Sequence, residues 1–193
     1  MNKFKIHTPE TANAQVGQVL NSVENMVGFI PNVFAVIGES LPALQAFVSL
    51  NEQFSQTALN PTEREIVQTA VSVENQCTYC VAGHTAFAEM QDVRAEIIES
   101  VRNNEKINDA KLETLNQFTR QLVRSLGQGQ GMIPSSVLDE FLEAGYTPAH
   151  VLEVVTGICV KIFSNLANNI IGIPLDDQFS PYAWQPVKPH QAA

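Results

Sequence analysis

Apolar residues recur at intervals of three and four along most of the chain, and this spacing constrains the fold more than any other feature. An α-helix turns once every ~3.6 residues, so the spacing gathers apolar side chains on one face of each helix. A sustained run of alternating β-branched residues, which would indicate half-buried strands, does not occur in the sequence. The pattern predicts an all-α fold, a bundle of amphipathic helices.

Capping residues divide this pattern into separate predicted helices. Thr8-Pro9 predicts the start of a first helix and Gly28 its end. Ser40 begins a second helix with Pro42 in its first turn, and the run Asn60-Pro61-Thr62-Glu63 begins a third with a capping box. Further helices are predicted over residues 77–90, 92–102, 109–126, 135–144 and 148–169.

Length and composition predict one globular domain. With 45% hydrophobic and 16% charged residues, the 193-residue chain can bury a sizeable core. We expect a single domain over residues 1–193, with a glycine-containing surface loop at 127–131 and an extended tail from about residue 174.

Charge and hydropathy also limit the partners and the compartment. The formal charge of −9 would repel nucleic acid and anionic lipid, so neither partner is expected. Lys3 and Lys5 are not followed by the apolar run of a secretory leader, and no uncharged window approaches the ~20 residues of a membrane span. These features predict a cytoplasmic protein.

Three cysteines are too few for a disulfide framework, whereas the close pair Cys77 and Cys80 indicates redox or metal chemistry. The polar run at 74–76 interrupts the apolar pattern, which places the pair at the N-terminus of a core helix. Unpaired N–H groups and the helix dipole stabilise a thiolate there. Cys159 stands among apolar residues and is expected to be a small core side chain.

His84 and Glu65 are the predicted proton-transfer groups. His84 follows Cys80 by four residues, so its ring projects from the same helix face one turn later. If the two helices fold back antiparallel about residues 75 and 76, Glu65, ten residues before 75, faces His84, nine after it. The carboxylate could then orient and charge the imidazole, which gives a relay of thiol, base and orienting group.

The predicted chemistry is the reduction of a peroxide. A Cys80 thiolate attacks the O–O bond and becomes a sulfenic acid, and Cys77 condenses with it to a disulfide that an external dithiol reduces. His84 and Glu65 deliver the proton to the leaving oxygen. Tyr79 is a secondary candidate for binding the peroxide or lining the pocket, and Glu74 for adjusting the charge near Cys77.

Two other interpretations of the cysteine pair stay open. Glu74, Cys77, Cys80 and His84 could supply four zinc ligands, although a single helix would crowd them and a second CxxC is absent from the sequence. Alternatively, the pair could be purely structural. The peroxidase interpretation needs no cofactor and no resident metal.

The run from Thr62 to Val67, followed by Glu74-xx-Cys77-x-Tyr79-Cys80-xxx-His84, resembles the core of the alkyl hydroperoxidase D-like branch of the carboxymuconolactone decarboxylase family. The segment Gly28-Phe29-Ile30-Pro31-Asn32-Val33-Phe34 and the run Pro174-Leu175-Asp176 resemble the flanks of its peroxidase-related members. The likeness covers roughly residues 20 to 180.

This resemblance implies a helical homo-oligomer, a trimer or a hexamer, that reduces a small hydroperoxide with dihydrolipoyl groups as the dithiol. It implies that Cys80 becomes the sulfenic acid, that Cys77 resolves it, and that Glu65 and His84 form the proton relay. Tyr79 departs from the pattern, because the peroxidase D enzyme has histidine between the cysteines. The decarboxylase branch proper does not depend on a cysteine pair, so a nonredox lyase remains an alternative.

Overall fold

A computed structural model describes residues 3–128 and 133–186. These residues form nine α-helices and one short 3-10 turn, Ser180–Tyr182, with no strand among them, which confirms the all-α prediction. The helices are α1 (Ala14–Val27), α2 (Asn32–Ile37), α3 (Leu41–Ser55), α4 (Pro61–Glu74), α5 (Thr78–Met90), α6 (Ala95–Asn103), α7 (Ala110–Gln128), α8 (Ser135–Glu143) and α9 (Pro148–Ile171).

The predicted start of the first helix is wrong. α1 begins at Ala14, where the Asn13 side chain accepts a hydrogen bond from the Val16 N–H at 3.0 Å. Thr8 instead forms a local turn, in which its backbone N–H donates to Thr11 Oγ1 at 2.8 Å. A threonine followed by proline can start either structure, so local sequence does not decide between them.

Other helix boundaries follow the predicted caps. Gly28 ends α1 with a left-handed φ of 89°, a conformation that glycine adopts without a steric penalty. The predicted capping box is present at the start of α4, where Asn60 and Glu63 exchange hydrogen bonds of 2.9 and 3.0 Å.

Two features of the helix pattern were not predicted. No helix is predicted between Gly28 and Ser40, but α2 lies there; six residues are too short to show a helical period. α7 also continues through Gly127, the predicted stop, and ends at Gln128. The rest of the predicted glycine loop lies in residues 129–132, outside the described part of the chain.

α4 occupies the centre of the fold and packs against α5, α6, α7 and α9. Its apolar residues Ile66, Val67 and Ala70 are completely buried. α9 approaches this centre closely at Gly157. A Cβ added there would lie 2.6 Å from the Phe54 ring and 2.8 Å from Val67. A larger residue at Gly157 would therefore displace the Phe54 and Val67 side chains or push α9 away from α3 and α4.

The face that α9 buries differs from the predicted one. Cys159 is exposed, so its assignment to the core is wrong, whereas Lys161 is only 5% exposed. A helix that is apolar on every side gives no periodic signal for the choice of face, and the packing of α9 makes that choice. The exposed apolar side chains beside Cys159 are Leu152, Val155, Leu166 and Ile170.

In the described part of the chain, α9 alone has the length and composition of a membrane span, with a hydropathy of 1.4 over its best window. Of the residues in that window, 44% are buried inside the fold. Core helices of soluble proteins meet the same criterion, and α9 packs against α3 and α4. The helix is therefore weak evidence for a membrane protein.

The described part of the C-terminal tail lies across α5. Phe179 is buried, and its ring packs over Gly83, where an added Cβ would lie 3.1 Å from the ring. Trp184 is buried with Val73 and Val81, and its indole N–H donates to the Arg102 carbonyl at 3.1 Å. The tail thereby covers the helix that carries the cysteine pair.

Candidate active site

The turn between α4 and α5 sets the position of the cysteine pair. α4 ends at Glu74, Gln76 adopts a left-handed φ of 52°, and Cys77 is the N-cap of α5. The Cys77 N–H donates back to the Ser72 carbonyl at 2.9 Å, which closes the turn. The pair therefore lies at the start of a core helix.

The fold-back of α5 along α4 brings Glu65 and His84 together. His84 Nδ1 lies 2.8 Å from Glu65 Oε2, and the other carboxylate oxygen accepts from Gln91 Nε2 at 2.9 Å. Glu65 is 6% exposed, so this carboxylate is held by two partners in a largely dry environment. Its position fixes the orientation of the imidazole ring.

Lys161 is a site residue that the sequence analysis did not identify. It projects from α9 and places its Nζ 2.5 Å from His84 Nε2. The one available signal was a single lysine inside an apolar helix, with Ser164 and Asn165 one turn later on the same face. Such a lysine is costly to bury unless it is hydrogen-bonded, and here the imidazole accepts from it.

Lys161 determines which form of His84 is present. An ammonium group can only donate, so His84 Nε2 accepts from Lys161 and the proton on Nδ1 is donated to Glu65. Burial and the Lys161 charge lower the pKa of His84, and they outweigh the opposing effect of Glu65. The imidazole is therefore neutral, and the Lys161 side chain that donates to it also lines the cavity.

The two cysteines have opposite acidities. Burial acts to raise the pKa of Cys80, but a hydrogen bond from Cys77, the Lys161 charge and polar contacts with Asn165 and Ser164 lower it to about 7. The Cys77 pKa is raised, first by its hydrogen bond to Cys80 and then by burial. Cys80 is therefore the thiolate near neutral pH, and Cys77 is the thiol that donates to it.

A cavity of about 640 Å³ gives a small molecule access to Cys80. Cys80 is 3% exposed, and its side chain lies in the cavity wall together with His84 and Lys161. Cys77 is completely buried and is not part of the wall. Most of the remaining wall is apolar and aromatic, including Met26, Phe34, Phe47, Phe54, Phe87 and Phe179.

Tyr79 lines the same cavity, but its hydroxyl is bound elsewhere. It donates to Asp176 Oδ2 at 2.5 Å and accepts from the Val33 N–H at 3.2 Å. Burial and the adjacent Asp176 carboxylate raise the pKa of Tyr79, so the phenol stays protonated. The Tyr79 hydroxyl thus links α5 to the tail, and its proton is used in the hydrogen bond to Asp176.

Glu74 is directed away from the cysteines. Its carboxylate accepts from Arg120 at 2.6 Å and from Arg124 at 2.8 Å, beside a separate cavity of about 440 Å³. The four predicted zinc ligands are therefore not brought together, since Glu74 is paired with arginines and both His84 nitrogens have protein partners. Within residues 3–128 and 133–186, no cluster of three or more His, Cys, Asp and Glu side chains is arranged for a metal ion.

The sequence of the central region matches a known family. Residues 42–108 match the carboxymuconolactone decarboxylase family, and this segment contains Glu65, both site cysteines and His84. The matched segment, about a third of the chain, is therefore similar to the carboxymuconolactone decarboxylase family. The family resemblance drawn from the motifs is thereby confirmed. No curated protein sequence matches the chain.

Solved structures with the same fold extend the match beyond that segment. An uncharacterized peroxidase-related protein with an alkylhydroperoxidase AhpD core, from Ralstonia eutropha JMP134, is 21% identical with a TM-score of 0.79, over 92% of this chain and 93% of that one. A peroxidase-related protein from Silicibacter sp. TM1040 is 16% identical with a TM-score of 0.75, over 86% and 87% of the two chains. The fold is therefore of the alkyl hydroperoxidase D-like type.

A debrominase, Bmp8, also shares this fold. Its cysteine-to-alanine variant in complex with 2,3,4-tribromopyrrole is 14% identical to this chain with a TM-score of 0.72, over 87% of this chain and 89% of that chain. The fold therefore accommodates proteins with different chemistry, and the reaction has to be argued from the residues of this chain.

Proposed function

We propose that the protein is a thiol-dependent peroxidase that uses Cys80 and Cys77 to reduce a hydroperoxide. The observation that supports this most directly is a cysteine with a pKa of about 7 in the wall of a cavity, beside a second cysteine and a buried ammonium group. A thiolate is the form of cysteine that attacks peroxides. The family match is compatible with this activity but does not select it.

In the proposed reaction, the Cys80 thiolate attacks the terminal oxygen of the hydroperoxide and the O–O bond breaks. Cys80 becomes a sulfenic acid, and the departing alkoxide takes a proton from the Lys161 ammonium group to leave as an alcohol. His84 and Glu65 hold Lys161 in place through the neutral imidazole. Lys161 is thus added to the predicted proton relay of Glu65 and His84, as the group that donates the proton to the substrate.

The second step would regenerate the enzyme. The Cys77 thiol attacks the Cys80 sulfur, a disulfide forms, and the sulfenic oxygen leaves as water. An external dithiol, such as a dihydrolipoyl group, then reduces this disulfide and is itself oxidised. The cycle suits a reducing compartment, and we therefore place the protein in the cytoplasm.

Peroxide consumption driven by dihydrolipoamide tests this function. The wild-type protein should consume one hydroperoxide for each dithiol oxidised, and without dithiol it should stop after one equivalent with a disulfide between Cys77 and Cys80. Mass spectrometry of the peptide that contains both cysteines identifies that bond. Absence of both peroxide consumption and disulfide formation would contradict the proposal.

A nonredox lyase activity is the second candidate, and the match to the carboxymuconolactone decarboxylase family supports it. Such a reaction needs no thiol chemistry, so it should survive simultaneous replacement of Cys77 and Cys80 by serine. Retained turnover of a lactone in that double variant would favour this activity over peroxide reduction.

We further propose that the protein is a homo-oligomer, a trimer or a hexamer, that associates through the exposed face of α9. Leu152, Leu166 and Ile170 are 69%, 56% and 75% exposed on that face. Leu166 follows Leu152 by fourteen residues and Ile170 follows Leu166 by four, so the three side chains lie on one face of the helix. Exposure of such an apolar stripe to water is unfavourable.

Replacing Leu166 by glutamate should therefore dissociate the oligomer, because the interface would place the new carboxylates in an apolar contact. Light scattering after size-exclusion chromatography measures the mass of the assembly. Met90→Glu is the matched control, since Met90 is 56% exposed and lies on α5 rather than α9. An unchanged mass in the Leu166 variant would refute this interface.

A further inference from the structure

Gln68 and Arg64 are among the polar residues that line the cavity beside Cys80 and that the proposed reaction does not use. Gln68 and Arg64 both project from α4 into the cavity wall, whereas most of their surroundings are apolar. They are four residues apart on one helix face, which separates their backbones by about 6 Å along the helix axis. α4 therefore contributes these two polar side chains to one side of a largely apolar cavity.

Gln68 is buried without a partner for its side-chain carbonyl. The residue is 4% exposed, and Oε1 has no hydrogen-bond partner within the described part of the chain. A buried carboxamide without a partner is unfavourable, and most such groups in folded proteins are satisfied. Gln68 lines the same cavity as Cys80, but Oε1 has almost no accessible surface, so the amide has to turn before a bound molecule can supply the missing partner.

Arg64 supplies a positive charge to the same cavity. It is half-buried, and one N–H group donates to the Leu59 carbonyl. The rest of the guanidinium has no hydrogen-bonded or ionic partner among residues 3–128 and 133–186. The acidic residues in the wall do not neutralise it, since Glu65 is bound to His84 and Gln91 and Glu52 is exposed to solvent.

The geometry points to a substrate class: an amphipathic hydroperoxide whose anionic group binds Arg64, whose apolar body fills the aromatic cavity, and whose hydroperoxide is held by Gln68 beside Cys80. This inference rests on the proposed peroxidase function and narrows it. A carboxylate is the simplest anion for Arg64, because the planar guanidinium forms charge-assisted hydrogen bonds with it. Once the amide turns towards the cavity, the hydroperoxide O–H can donate to Gln68 Oε1, which satisfies the unpartnered carbonyl.

Three hydroperoxides of similar shape test the class: cumene hydroperoxide, its para-carboxylate derivative and the methyl ester of that derivative. In the wild-type protein, the carboxylate should have a KM about tenfold or more below that of the ester, since a charge-assisted pair changes affinity by that order. Arg64→Met should remove this difference by raising the KM of the carboxylate. Arg94→Met is the control, because Arg94 is 63% exposed and lies outside the cavity wall.

Gln68→Leu should raise the KM of all three hydroperoxides alike, because each presents the same hydroperoxide to the carboxamide. The pKa of Cys80, measured by alkylation at varied pH, should not move, since Gln68 is not among the groups that lower it. A Cys80 pKa that shifts in this variant would show a structural effect on the site and would overturn the binding role of Gln68.

Binding of 4-isopropylbenzoate, an unreactive acid, separates this inference from the proposed function. Calorimetry should detect its binding to the wild-type protein and a loss of about tenfold or more in Arg64→Met. If all three hydroperoxides are left unreduced while the acid still binds through Arg64, the peroxidase function is overturned and the ligand class stands. Equal KM values for acid and ester, or equal binding of 4-isopropylbenzoate to wild type and Arg64→Met, would overturn the ligand class.

Discussion

Cys80→Ser should reduce dithiol-driven peroxide consumption to the uncatalysed background, because a serine hydroxyl is not ionised at neutral pH and cannot accept the peroxide oxygen as a thiolate does. Cys77→Ser should behave differently. Cys80 would still be oxidised once, but no neighbouring thiol would resolve the sulfenic acid. One equivalent of peroxide should therefore be consumed rapidly, and a dimedone adduct should be found on Cys80.

Cys159→Ser is the matched control for both variants. Cys159 is exposed on α9 and belongs to neither the cavity wall nor the cysteine pair, so its replacement should leave turnover unchanged. Equal residual activity in Cys80→Ser and Cys77→Ser would contradict the separate roles of Cys80 in attacking the peroxide and Cys77 in resolving the sulfenic acid. Thermal unfolding of each variant checks that loss of activity does not arise from loss of the fold.

Lys161→Met should have the next largest effect, because it removes both a charge that lowers the pKa of Cys80 and the proposed proton donor. Loss of a general acid typically lowers the rate by about 10²- to 10⁴-fold. In the wild type, the alkylation rate of Cys80 should rise with pH through a midpoint of about 7, where the thiolate becomes the major form. Without the ammonium charge the midpoint should move to higher pH.

Iodoacetamide labelling at varied pH, read by mass spectrometry on the Cys80 peptide, measures that midpoint without any need for turnover. Lys106→Met is the control, since Lys106 is exposed and lies outside this cavity. A Lys161→Met variant that stays folded and keeps the wild-type midpoint would show that Lys161 does not lower the pKa of Cys80.

The contact of Glu65 with His84 could be anticipated because it depends on nearby sequence signals. The capping box at Asn60 marks where α4 begins, and the polar residues before Cys77 mark where it ends. The two helices are joined by a short turn, so their antiparallel packing follows from chain length. Counting residues from the turn then pairs Glu65 with His84.

The contributions of α9 could not be anticipated in the same way. Lys161 is separated from His84 by 77 residues, and its position depends on how α9 packs against α3 and α4. The apolar composition of α9 hides its orientation, which is why Cys159 was expected inside and lies outside. The binding of Tyr79 to Asp176 is equally distant in sequence, at 97 residues, and follows from the course of the tail.

Gly157 lies one helical turn before Lys161, where an added Cβ would meet Phe54 of α3 and Val67 of α4. The 2.5 Å separation between Lys161 and His84 leaves little tolerance for outward movement of the helix. A methyl group at position 157 would have to displace the Phe54 and Val67 side chains or move α9 outward, and outward movement of α9 would draw the ammonium away from the imidazole. The alignment of Lys161 with His84 thus depends in part on the absence of a side chain at position 157.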